Sequence, residues 1–360
     1  MSNRLFFVAL AALALLAAAP PQAPEYRNHS RLMVYLDEAG QEHPVKTPAD
    51  WAIRRKHILA GMQQAMGELP DRSQQPPLDP RETERVEQDG VVRIKLSFAT
   101  ADKDRVTAYL YLPKDLKPGE RRAAMLALHP TGAQGKDIVA GRGKANRGYG
   151  LELAQRGYIV LAPDYPSFGE LANYDFAADR YVSGTMKGIV NHMRSVDFLQ
   201  SRGEVDPERI GVIGHSLGGH NAMFVGVFDE RLKVVVSSCG WTPFHDYYEG
   251  NIKGWTSDRY MPLLRDEYGL DPDRVPFDFY EVVAALAPRA FFSASPVRDS
   301  NFEVAGVRRA EPIARAVYQL FGADKQFVVR YPECEHDFPP EVRREAYEFV
   351  DRVLAHTPTR

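Results

Sequence analysis

The sequence predicts an α/β fold, with a mostly parallel central sheet and helices on both faces. Three observations carry this. First, six short runs are apolar almost throughout: AAMLALH (123–129), YIVLAP (158–163), RIGVIGH (209–215), KVVVSS (233–238), AFFSAS (290–295) and QFVVRY (326–331). Runs of that length without polar alternation belong to strands buried on both faces. Second, segments of helical pattern separate them, near 147–156, over about 180–201, after Ser216, and after each of the last two strands. Parallel strands need such crossovers. Third, VVRIKLSF and RVTAYLYL, with Asp102–Asp104 between them, alternate apolar and polar residues and predict an antiparallel pair ahead of the parallel strands.

The elements follow in order. Residues 1–23 (MSNRLFFVALAALALLAAAPPQA) hold Arg4, the uncharged apolar run Leu5–Ala18, then small residues and prolines. This is the pattern of a secretory signal peptide, and the run is short of the roughly 20 residues of a membrane span. A secreted or periplasmic protein is expected, with no stable span after cleavage; the alternative is an uncleaved N-terminal anchor. Residues 24–89 are expected to form an N-terminal helix and linker. Within them, 48–67 place Trp51, Ile53, Ile58, Leu59, Met62 and Met66 on a helical stripe, and Pro70, Pro76, Pro77 and Pro80 mark a linker. The catalytic domain is expected over 90–358. Residues 240–280 interrupt its alternation and predict an insertion over one end of the sheet.

Composition narrows the function. The chain has 360 residues, 44% hydrophobic and 26% charged, with net charge -3. That excludes a coiled coil, a collagen and a disordered protein, and gives no bulk electrostatic case for nucleic acid. Two cysteines, Cys239 and Cys334, allow at most one bridge and no Cys-cluster zinc site. No His/Asp/Glu cluster has metal-ligand spacing and no Gly-rich phosphate loop is present, so no metal or cofactor is expected.

The chemistry centres on Gly214-His215-Ser216-Leu217-Gly218, a G-x-S-x-G motif with a buried strand directly before it and a helix directly after. In that context the serine sits on a strained turn with its Oγ exposed, at the positive end of a helix. A serine needs a base, and hydrolases with this elbow order the triad Ser, acid, His. His336, in YPECEHDF after the last strand, stands where the base belongs; His220, His245 and His356 do not. Asp299, after the penultimate strand, is the expected acid, with Glu303 its nearest competitor and Asp324 less well placed. Leu217 N–H and an N–H of the loop His129-Pro130-Thr131-Gly132 would form the oxyanion hole. Pro130 has no N–H, which leaves Thr131, with Gly132 as the alternative.

The segment Asp206–Gly219 (DPERIGVIGHSLGG) resembles the elbow of α/β-hydrolases of the dienelactone hydrolase, acetyl xylan esterase and prolyl oligopeptidase branch. HPTG, APDYPSFG, RSVDFL, the Asp299 loop and EHDF follow in that branch's order, over about 90–355. The resemblance implies an α/β-hydrolase fold and a Ser216–Asp299–His336 triad. Dienelactone hydrolases use a cysteine nucleophile; Ser216 departs from that and favours an ordinary serine esterase. Prolyl oligopeptidases carry a propeller, for which the region before residue 90 is too short. The N-terminal helix and linker look like those of secreted carbohydrate esterases.

The expected protein is therefore a metal-independent serine hydrolase of small-molecule or carbohydrate esters, possessing a triad and an acyl-enzyme. A peptidase using the same triad and a non-catalytic binding module on the same fold are the rivals. Trp241 and Trp255, in the aromatic insertion with Phe244, Tyr247, Tyr248 and Tyr260, are the expected substrate-binding rings, and the rival role for all of them is the insertion's own core. Arg142, Lys144 and Arg147 follow the oxyanion loop and would suit an acidic substrate such as a uronate.

Overall fold

The computed structural model describes residues 24–101 and 104–358. The expected signal segment, 1–23, lies outside the described residues, as do positions 102 and 103 of the expected turn. Among the described residues, no helix is long and apolar enough to cross a membrane.

A small hairpin, β1 (Val34–Leu36) with β2 (Glu42–Pro44), precedes helix α1 (Pro48–Met66). Thr47 and Asp50 cap α1 reciprocally, with Pro48 in its first turn. The main sheet is built from β3 (Arg81–Gln88), β4 (Val91–Ala101), β5 (Asp104–Pro113), β6 (Arg122–Leu128), β7 (Ile159–Pro163), β8 (Val205–His215), β9 (Leu232–Ser238), β10 (Ala290–Ala294) and β11 (Phe327–Arg330). Its spatial order is β11-β10-β9-β8-β6-β7-β5-β4-β3. From β7 to β11 the neighbouring pairs are parallel; β3, β4 and β5 pair antiparallel and join at β7. The helices are α2 (Tyr149–Gln155), α3 (Gly184–Gln200), α4 (Leu217–Phe228), α5 (Leu263–Asp266), α6 (Phe279–Ala284), α7 (Val304–Leu320) and α8 (Pro340–Val353).

Strand pleating divides the core into two layers. Val235 faces a core with α1, α3, α4, α6 and α7, whereas Val234 and Val236 face α2 and α8. Burial on both faces is why these strands read as unbroken apolar runs.

Three features differ from the sequence reading. Strand β3 was not expected: RETERVEQ is charged and mostly exposed, as an edge strand is, so no apolar rhythm reveals it. Ile53 faces solvent, off the stripe formed by Trp51, Ile58 and Met62. The 240–280 insertion is not a separate cap with its own core. Phe244, Trp255 and Phe277 belong to the same cluster as α1 and α4. The N-terminal segment braces this insertion: His29 Nε2 lies 2.9 Å from the Val275 carbonyl, and Glu281 pairs with both His29 and the buried Arg54.

Strands β6 and β8 are adjacent, with Leu128 opposite Gly214, while the chain leaves β6 toward β7 on its other side. A crevice opens outside the carboxyl ends of strands at such a switch point. The loops carrying Thr131, Ser216, Asp299 and His336 follow β6, β8, β10 and β11.

Candidate active site

Ser216 joins β8 to α4 with φ 54° and ψ -118°, a left-handed geometry that costs a non-glycine residue energy. Its amide donates to the Ser238 carbonyl at 2.8 Å, and its carbonyl accepts from Gly219 at 2.8 Å. Two glycines make the turn possible. A Cβ on Gly218 would lie 2.0 Å from the Leu128 carbonyl oxygen, and one on Gly214 would lie 2.0 Å from that of Gly218. The Leu217 amide, first in α4, has no preceding helical turn to bond to, and Leu217 lines a recess beside Ser216.

The β6 loop is held tightly. Tyr149 Oη donates to the Leu128 carbonyl and accepts from the His215 amide at 3.2 Å, tying the ends of β6 and β8 together. His129 Nε2 accepts from the Tyr165 amide at 2.9 Å and Nδ1 donates to the Pro130 carbonyl at 2.7 Å. Burial holds this imidazole below the usual histidine range, in keeping with that neutral tautomer. Beyond Thr131, buried Asp164 accepts from the Lys136 amide at 2.8 Å and pairs with its ammonium.

His336 Nδ1 lies 2.9 Å from each carboxylate oxygen of Asp299. Facing a carboxylate, Nδ1 carries the proton and Nε2 is left as an acceptor. The Asp299 side chain is 1% exposed and that of His336 27%, so Asp299 lies behind His336. Asp299 Oδ1 also accepts from the amides of Asn301 (2.8 Å) and Phe302 (3.1 Å), which compensates its burial. The His336 ring stacks on Phe302 and sits 4.9 Å from the ring of His215. Burial, aided by Arg147 and His336, pushes His215 well below the histidine range and keeps it neutral.

Cys239 completes this cluster: its Sγ, an Asp299 oxygen and a His336 nitrogen lie within 4.8 Å of one another. Burial and the Asp299 charge push its thiol well above the usual range, so Asp299 faces an uncharged neighbour. Cys239 and Cys334 are both free thiols.

Two hollows meet at Ser216. A groove of about 350 Å³ is lined by Thr131, Gln134, Lys144, Arg147, Ser216 and His336, among others. A recess of about 60 Å³ is lined by Thr131, Ser216, Leu217, His220, Trp255 and Tyr260, with Tyr247, Asn301 and Phe302 at its sides. The residues expected from sequence thus separate clearly. Ser216, His336 and Thr131 share the groove, Asp299 stands behind His336, and Leu217 and Trp255 line the recess. Trp241 does not line either hollow: it is 1% exposed, and its Nε1 donates to Ser293 Oγ at 2.9 Å. Just past β9, its ring turns inward into the core, which overturns the expected substrate contact. Glu303 instead caps α7, Asp324 pairs with Arg315, and His245 pairs with Asp273 at the surface. Arg142 faces Asp137; Arg147 is paired with Asp337; Lys144 lines the groove.

His220 does not stand where the base belongs. It is buried, and it lines the recess. Its spacing of four from Ser216 was the available signal, since such residues share a helix face.

A nine-stranded, mostly parallel sheet with a strained serine turn at its carboxyl edge defines an α/β-hydrolase. The model of the alpha/beta hydrolase family matches residues 138–357. YtaP of Bacillus subtilis strain 168, whose name places it among the hydrolases, is 30% identical over 321 residues, covering 84% of this chain and 99% of that protein. The chain belongs to the alpha/beta hydrolase family. The carbohydrate esterase MZ0003, from an unknown prokaryotic organism, is 23% identical over 219 residues, 55% of this chain and 49% of its own length. The glucuronoyl esterase from Solibacter usitatus superposes with a TM-score of 0.68 at 19% identity, covering 92% of this chain and 98% of that one. At that identity the likeness is one of fold.

Proposed function

We propose that the protein is an exported serine esterase that cleaves carboxylic esters of carbohydrates through a Ser216–His336–Asp299 triad. The observation that carries this reading is one groove shared by Ser216 and His336, with His336 Nδ1 held at 2.9 Å by a buried Asp299. Ser216 Oγ attacks the ester carbonyl while His336 Nε2 takes its proton. The oxyanion that forms is held by the amides of Leu217 and Thr131 and by the N-terminal end of α4. The tetrahedral intermediate collapses as His336 returns the proton to the leaving alkoxide. Water, deprotonated by His336, then attacks the acyl-enzyme and releases the carboxylic acid and Ser216.

The carbohydrate reading is supported by the polar side of the groove, where Gln134 and Lys144 offer donors beside the leaving group, and by the names of the esterases the chain is similar to. Export is supported by the composition of residues 1–23. The test is a panel of esters: acetylated xylan, methyl glucuronate esters, simple acetyl esters and an aminoacyl amide. Turnover of a carbohydrate ester well above the simple esters supports the reading; preference for the amide overturns it.

A further inference from the structure

We propose that the recess beside Trp255 is the acyl subsite, and that it is built for a short acyl group carrying a hydroxyl next to the ester carbonyl, the 2-hydroxyacyl class. The proposal rests on the esterase reading above and names the acyl half of its substrate.

The side of the site follows from the proton. His336 must reach the leaving oxygen, and it lines the groove and not the recess. The alcohol half therefore departs along the groove. The acyl half, which stays bonded to Ser216, takes the hollow on the other side, next to Leu217 and its amide.

The size of the acyl group follows from the volumes. The recess holds about 60 Å³ against about 350 Å³ for the groove. At roughly 30 Å³ for a water-sized group, about two heavy atoms fit beyond the carbonyl. A longer chain has no further wall to cover and would have to turn out into solvent.

The polarity follows from atoms with nothing to bond. His220 is 5% exposed, and neither of its ring nitrogens has a hydrogen-bond partner. Trp255 is 3% exposed, and its Nε1 is likewise unpartnered. The two rings meet edge to face with centroids 4.8 Å apart, and both residues line the recess. A recess for a hydrocarbon chain would need neither, and leaving them unpaired is unfavourable. Buried on α4 one turn beyond Ser216, the imidazole is neutral, its pKa pushed down to about 3 by burial. A neutral imidazole offers one donor and one acceptor, and Trp255 adds a donor. A hydroxyl, which both donates and accepts, matches this set, and a methyl group does not.

The test is kcat/KM for the ethyl esters of acetate, glycolate, butyrate and hexanoate, with the wild-type protein and with His220→Phe and Trp255→Phe. Comparing the glycolate-to-acetate ratio between wild type and variant cancels the intrinsic reactivity of the two esters. The proposal expects the wild-type ratio to exceed that of either variant about tenfold, the worth of about one hydrogen bond. It also expects hexanoate to fall at least tenfold below acetate. Either variant that folds is sufficient for the ratio, and the chain-length series needs none. Equal ratios in wild type and variant, or rates that climb with chain length, overturn the proposal while leaving the esterase reading intact. Failure of the wild-type protein to cleave any ester overturns both.

Discussion

The backbone carbonyl of His336 accepts a hydrogen bond from Arg147 Nη2 at 3.0 Å, across the crevice from the loop that follows β6. The same guanidinium pairs with Asp337, which Asn146 Nδ2 also reaches at 2.7 Å. Arg147 therefore fixes the loop that carries His336 relative to the loop that carries Thr131. A cation first read as a contact for acidic substrates is largely spent on positioning. Arg147→Met is expected to lower kcat about 10- to 100-fold with a smaller change in KM, because misplacing a base by about 1 Å is costly. Steady-state kinetics on a small acetyl ester check this; unchanged kcat would remove Arg147 from the account.

Asp299 and Glu303 lie four residues apart but do different work. Asp299 accepts from His336 and two amides, whereas Glu303 accepts from the Ala305 amide at the start of α7. Asp299→Asn should reduce turnover about 10³-fold or more by disturbing the imidazole tautomer. Glu303→Gln should stay within a few-fold of wild type. Parallel kcat measurements decide, and the reverse order would move the acid to Glu303.

The two tryptophans should also separate. Trp241 fills the core, so Trp241→Ala should cost about 3–5 kcal/mol of stability and leave the ranking of esters as it was. Trp255→Ala should reorder that ranking, because it opens the recess beside Ser216. Denaturant melts and an ester panel on both variants give the answer; a common slowing of every ester by Trp255→Ala would make it a packing residue.

Much of this arrangement is legible in the sequence, for physical reasons. Strands β6, β7, β9 and β10, and β8 from Ile210 onward, are buried on both faces and so write unbroken apolar runs, and the elbow needs glycines at Gly214 and Gly218 because backbone passes within reach of any Cβ there. Strand β3 was invisible because an exposed edge strand has no apolar face to declare. Trp241 and Trp255 have the same chemistry and lie close in sequence, and only the direction of the chain after β9 decides which ring reaches the recess. The place of His220 in the recess is not legible, because helical spacing names a shared face but not what that face encloses.

Four buried histidines predict how the protein responds to acid. Burial lowers His192 and His220 to about 3, takes His215 well below its ordinary value, and lowers His129. An unfolded histidine titrates near about 6.5. The folded state therefore binds fewer protons than the unfolded state below that pH. The stability these groups contribute is complete above about 6.5 and is lost as pH falls toward the folded values, by up to roughly 1.4 kcal/mol per pH unit for each group. Thermal melts should drop steeply from about pH 6.5 to about pH 4, and His220→Phe, which binds no proton, should flatten the slope by about one proton. A flat profile across that window would contradict the neutral, buried state of these rings.

The nucleophile is the centre of the account, and one measurement reaches it directly: labelling with a fluorophosphonate followed by peptide mass spectrometry, on wild type and Ser216→Ala. The expected result is a single adduct on Ser216, absent in the variant, with ester turnover falling about 10³-fold or more while the variant remains folded. No adduct on the wild-type serine, or near-wild-type turnover by Ser216→Ala, would contradict it.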